Sequence, residues 1–189
     1  MRATELLKSE HGAIEQVLET FESVTDRLEA GKTVSNEVLE DSVGFLDKFV
    51  DGRHYAKEER ALFPLLLAVG EADDKIIVAE MLAEHGEIRG QVQALINDLE
   101  GYRARDPGAE QSLVLHARDY ISLLMQHISR EERDLFPMAA RLLSDHDDQE
   151  LAAKFARIDS EYGAGLPERY HHLIDSLAGK VWTLTHADS

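Results

Sequence analysis

The chain has no cysteine, which removes disulfides, thiolate nucleophiles, iron–sulfur clusters and cysteine-ligated zinc together. Any metal it holds must be bound through nitrogen and oxygen. It also lacks an apolar run approaching ~18 residues, so nothing in it reads as a membrane span. The opening residues carry Arg2 and Lys8 but no apolar stretch of the kind a secretory signal needs. A soluble, cytoplasmic protein is expected. Positive charge is scarce: 20 Lys and Arg stand against 37 Asp and Glu, for a formal net charge of −17. Such a surface repels phosphate backbones and anionic lipid, which argues against nucleic acid or a membrane as a partner.

Alternating patterns are missing too, and with them any demand for a strand. With 43% hydrophobic residues, the 189-residue chain can bury a real core in one domain. Its apolar residues recur at helical spacing. Leu7, Ile14, Val17, Phe21, Val24 and Leu28 mark a first helix, and Val38, Phe45, Phe49 and Val50 a second. Met81, Ile88, Val92, Leu95 and Leu99 mark a third, and Leu113, Ile121, Leu124, Ile128 and Leu135 a fourth. Breaks with Gly or Pro chemistry fall at residues 30–33, 69–71 and 105–108. Pro64 and Pro137 lie inside helical patterns, where the missing donor predicts a kink. Beyond Ser144 the pattern weakens. Asp147 and Glu150 resemble a cap for a fifth helix near 148–161, followed by a break around Gly163 to Pro167 and a shorter helix near 168–181. The fold class is all-α: an up-down-up-down four-helix bundle over residues 1–143, with a helical extension over 144–189 packed on it.

Against that background stands a repeated set of metal-type ligands. His11 and His54 with Glu58 return as His85 and His127 with Glu131, at offsets of 74, 73 and 73 residues. The surrounding text repeats as well. Residues 54–64 (HYAKEERALFP) and 127–137 (HISREERDLFP) match at seven of eleven positions. The midpoints between consecutive histidines, 32.5, 69.5 and 106, each fall at one of the three breaks. Residues equidistant from a turn lie at one height in an antiparallel bundle, so four helices bring four histidines to one level. Each Glu, four residues past its His, lies on the same helical face one turn along. At ~1.5 Å per residue, His54 is ~23 Å from the second turn and ~32 Å from the first, which puts the site nearer the end where both bundle termini emerge. The extension starts there and could cover it.

Four imidazoles and two carboxylates are too many donors for one tetrahedral ion, and two bridging carboxylates are what holds a second cation close. Two ions fit better than one. Imidazole with carboxylate suits Fe, Mn or Zn, and a His-rich, carboxylate-bridged pair in a helix bundle most suggests iron.

On these motifs the sequence resembles the bacterial hemerythrin-like domains of the HHE cation-binding type, over roughly residues 3–143. The resemblance implies a non-haem di-iron centre in a four-helix bundle, with His11, His54, His85 and His127 as terminal ligands and Glu58 and Glu131 as bridges. Two departures separate the chain from the oxygen carriers of the family. Met81 stands where those have a fifth histidine, and Glu131, four residues after its His, stands where they have an Asp at five. The four-His, two-Glu set is similar to that of di-iron proteins of iron-centre repair and nitric oxide responses, although these carry a cysteine-containing module that this chain lacks. The expected ligands are therefore O2, NO or peroxide. The functions in view are binding or sensing, peroxide removal or iron-centre repair by an enzyme, and iron storage or handling.

Other side chains carry weaker signals. Glu15 follows His11 by four, but its counterpart is Arg89. Glu10 and Glu84 precede their histidines and read as solvated carboxylates, with a polar access path second. Tyr120 is on the stripe of His127 and could reach the pocket or simply pack. His171 and His172 read as surface or tail-packing residues, and His116, His146 and His186 carry no signal.

Overall fold

The computed structural model describes residues 2–163, 170, 172–177 and 179–180. Within these residues the fold is all-α, with no strand, and it forms the expected helical bundle. Helix α1 is Arg2–Glu29. Helix α2 covers 36–69 as a continuous series: Asn36–Phe45, Leu46–His54, Tyr55–Lys57, Glu58–Leu62 and Phe63–Val69. Helix α3 is Ala72–Ala104, and α4 covers 109–142 as Ala109–Arg130, Glu131–Leu135 and Phe136–Leu142. Helix α5, Asp145–Glu161, belongs to the extension.

The ends are set by local chemistry. The Ser35 side chain accepts from the Val38 amide at 3.4 Å at the start of α2. Glu71 and Asp74 cap each other's backbone at the start of α3. Gly70 makes the tight second turn possible, because a Cβ there would lie 2.7 Å from the Leu66 carbonyl oxygen. Gly108, at φ +86°, turns the chain into α4. The fifth helix begins earlier than the sequence suggested. Ser144 is its cap, in a reciprocal box with Asp147, so Asp147 is the third residue of the first turn and not the cap itself.

The proline kinks take the form of wide, π-type turns at Glu58–Leu62 and Glu131–Leu135. The Phe63 amide bonds back to the Glu58 carbonyl and the Phe136 amide to that of Glu131, both five residues away. Pro64 and Pro137 then fall in the first turn of a fresh α segment, where a missing donor costs little. A third wide segment, Leu46–His54, leads into the first motif histidine of α2.

Two apolar clusters fill the bundle. One runs from the Leu28, Val34 and Leu99 end to Tyr55, Ile88 and Leu124. The other gathers Ala3, Leu7, Phe63, Leu66, Met81, Phe136 and Ala139 at the opposite end, together with Leu151, Phe155 and Ile158 of α5. Between these clusters lies a layer of buried His and Glu side chains. Helix α5 also caps the start of α1: the Asp148 carboxylate accepts from the Arg2 and Ala3 amides at 2.8 and 2.9 Å. The described residues of the later extension lie along α2. Ile174 and Leu177 join the first cluster, and the Tyr170 ring packs edge-on against Phe45 and Phe49. Trp182 lies outside the described residues. No helix among those described is long and apolar enough to cross a membrane.

Candidate metal centre

Helix α1 delivers His11, α2 delivers His54 and Glu58, α3 delivers His85, and α4 delivers His127 and Glu131. None of the six is more than 1% exposed. They assemble into two groups, His11, His54, Glu58 and Glu131, and Glu58, His85, His127 and Glu131, each offering four ligand atoms within 4.8 Å of one another. The two glutamates belong to both groups. Each turns one oxygen to each histidine pair: Glu58 Oε1 lies 3.5 Å from His54 Nε2 and Oε2 lies 3.4 Å from His85 Nε2. Likewise Glu131 Oε2 is 3.1 Å from His11 Nε2 and Oε1 is 3.4 Å from His127 Nε2. The wide turns begin at these two glutamates, so the same local backbone geometry sets both.

The other face of each imidazole is held by a carboxylate. His11 Nδ1 is 3.0 Å from Glu132, His54 Nδ1 3.0 Å from Glu10, His85 Nδ1 2.7 Å from Glu59, and His127 Nδ1 2.8 Å from Glu84. An ionised carboxylate only accepts, so each Nδ1 donates its proton and each Nε2 presents a lone pair to the centre. Cations steady these carboxylates. Glu10 meets Arg53 at 3.0 Å and also Lys57, Glu59 meets Arg89 at 2.8 Å, and Glu84 meets Arg130. Rings fix the remaining freedom: Tyr55 stacks on His85 at 3.6 Å between centroids, and Phe136 stacks on His11 at 5.4 Å.

The centre fits a cation. All four oxygens of Glu58 and Glu131 and the His11 Nε2 atom are buried without a hydrogen-bond partner. His11 Nε2 and Glu131 are close in distance but not aligned for a hydrogen bond. Leaving buried acceptors and charges unpaired costs several kcal/mol per ion. A cation facing these atoms removes that cost. Burial alone would lower the affinity of His11, His85 and His127 for protons, but the facing carboxylates outweigh it and raise all three above the ordinary value of 6.5. Burial disfavours ionised Glu131, and the neighbouring His127 and His11 overcome it and hold its carboxyl well below the usual range.

A family model described as the hemerythrin HHE cation binding domain matches residues 2–139. The chain belongs to the hemerythrin HHE family. Relatives of this hemerythrin-family chain include uncharacterized proteins of Mycobacterium tuberculosis (Rv1995) and Mycobacterium bovis (Mb2018). Each is 24% identical over 176 residues, which cover 93% of this chain and 68% of the relative. No solved structure matches it significantly. Family membership and the buried His/Glu groups together make this hemerythrin-family domain a cation-binding one.

Some sequence readings need correction in the light of this geometry. Glu10 and Glu84 are not solvated carboxylates; they orient His54 and His127, each reaching a histidine on the neighbouring helix. Glu59 and Glu132, the second residues of the repeated Glu-Glu pairs, do the same for His85 and His11 and passed unnoticed in the sequence. Glu15 is partly buried and belongs to neither ligand group. Tyr120 packs in the first apolar cluster, whereas Tyr55, which the sequence did not single out, lies on a ligand ring with its hydroxyl buried and unpartnered. His116 pairs with Asp98 at 2.6 Å, His146 lies on the surface by Glu150, and His172 is exposed. His171 and His186 lie outside the described residues.

Proposed function

We propose that the chain is a non-haem di-iron protein that binds or reacts with O2, NO or peroxide at a carboxylate-bridged centre. Residues 1–143 are then its metal-binding bundle and 144–189 a helical extension over it. The observation that carries this reading is the shared pair Glu58 and Glu131, each with one oxygen toward each histidine pair. His11 and His54 would hold one ion, His85 and His127 the other, with both glutamates common to the two. Iron bound there would supply one-electron chemistry and coordination positions free for a small ligand, while Mn or Zn would satisfy the same donors.

The surrounding residues restrict what enters. Met81 is fully buried in the second apolar cluster, where a fifth imidazole would stand in an oxygen carrier. Phe63, Phe136 and Tyr55 pack their rings against His85 and His11, leaving little room for a bulky ligand. A diatomic molecule or peroxide suits so confined a space. Anaerobic loading with iron, followed by exposure in turn to O2, NO and H2O2 under optical monitoring, tests the reading. Spectral change without turnover identifies a binding protein, and sustained consumption of peroxide identifies an enzyme. No response to any of the three would refute it.

A further inference from the structure

The repeat is symmetric in its ligands but not in the charges behind them. In the second half, Arg130 faces Glu84 and itself meets Glu80 at 2.5 Å, while Arg89 is shared between Glu59 and Asp51. Behind His85 and His127 there are thus four carboxylates and two cations, an excess of two negative charges. In the first half, Lys57 occupies the position of Arg130, and Arg53 occupies the position of the uncharged Gln126. Both Lys57 and Arg53 are buried, and both bond Glu10, the carboxylate that orients His54. With Glu132 behind His11, the bundle alone would leave two carboxylates against two cations, and no negative excess at all.

The missing charge comes from outside the repeat. Asp159, on α5, reaches Lys57 Nζ and Arg53 Nε with one oxygen, at 2.7 Å each. It takes both cations partly off Glu10 and restores one negative charge to the first half. Glu10, Arg53, Lys57 and Asp159 also line one cavity between the bundle and the extension. Water entering it would weaken the pairing by screening if the helix lifted away.

We propose that Asp159 is a positioning residue of the metal centre: acting through Lys57, Arg53 and Glu10, it sustains cation binding at the His11/His54 position and leaves the His85/His127 position unaffected. Helix α5 completes one half of the centre only. This rests on the metal-centre reading above, and the test separates the two.

Zn2+, which is redox-inert, is titrated against a chromophoric chelator into the full chain and into two single-position backgrounds: His85→Ala, which leaves the His11/His54 position, and His54→Ala, which leaves the other. Asp159→Asn is expected to weaken Zn2+ several-fold in the first background, less than the roughly 10–100-fold of losing a partner bonded directly to a ligand, and not in the second. Adding Arg53→Gln, which copies Gln126 of the other half, should restore affinity to the Asp159→Asn protein. Arg53→Gln alone should tighten the His11/His54 position, a result that does not depend on the Asp159 variant folding well. Equal weakening in both backgrounds, no weakening in either, or failure of Arg53→Gln to restore or tighten binding would overturn the proposal. Absence of Zn2+ binding by the unaltered chain would instead refute the metal-centre reading itself.

Discussion

His85 Nε2 and His127 Nε2 face each other at 3.1 Å while both Nδ1 atoms are bonded to carboxylates, Glu59 and Glu84. With both Nδ1 protons committed, two lone pairs point at one another across a hydrogen-bond distance. One proton on either Nε2 would turn the contact into a hydrogen bond, and the facing carboxylates raise the proton affinity of both rings against the opposing effect of burial. A cation held by His85 and His127 would relieve the contact for both rings at once, with the oxygens of Glu58 and Glu131 beside it to share its charge.

Removing either shared carboxylate should cost one ion before the other. Glu58→Ala or Glu131→Ala exposes two cations to mutual repulsion across a short gap, so metal analysis after desalting should fall from two ions per chain toward one. Two ions retained in both variants would show that the carboxylates do not bridge.

Metal affinity should climb with pH while the stability of the metal-free fold declines. His11, His85 and His127 hold protons more tightly folded than unfolded, so their contribution to stability is fully present below 6.5 and is lost as pH rises through their raised folded values. The same protons must leave when a cation binds. Melting temperatures of metal-free and Zn-loaded protein from about pH 5 to about pH 9 should diverge as pH rises. Parallel curves would contradict this.

Which parts of the site are legible in the sequence follows from what each residue depends on. His11, His54, His85 and His127 could be brought to one level because turn positions and a constant helical rise fix height. Glu58 and Glu131 followed from a spacing of four on the same helix. Glu10, Glu84, Glu59 and Glu132 were hidden because each orients a histidine on another helix, and helix rotation in the bundle is not set by spacing. Their adjacency to the ligands in both repeats was the available signal. Asp159 had none, lying outside the repeat and reaching the centre only through packing of α5. The wide turns were signalled by a proline six residues after Glu58 and Glu131, but a kink and a wide turn cannot be told apart from the proline alone.

The extension should matter to stability through its apolar face as well as its charge. Phe155 is 1% exposed in the cluster shared with α1, α2 and α4. Phe155→Ala should cost about 3–5 kcal/mol, read as a fall in denaturant midpoint. A cost below about 1 kcal/mol would mean that α5 is only loosely attached.

Tyr55→Phe should leave the fold as stable or slightly more so, because the phenol hydroxyl is buried without a partner and an unsatisfied group costs about 1–3 kcal/mol. The ring would still stack on His85 and metal content should hold. Destabilisation by Tyr55→Phe would reveal a partner for the hydroxyl.

Met81→His should add an imidazole beside His85 and move the centre toward reversible O2 binding, where the unaltered protein should show none that lasts. Durable, reversible binding by the unaltered chain would refute the role given to Met81.

The most direct measurement is the iron content and Mössbauer spectrum of the full chain after anaerobic loading and desalting. A carboxylate-bridged pair predicts two irons per chain and, once oxidised, a magnetically coupled signal with no residual isolated high-spin iron. One iron per chain, or two that behave independently, would contradict a shared centre built on Glu58 and Glu131.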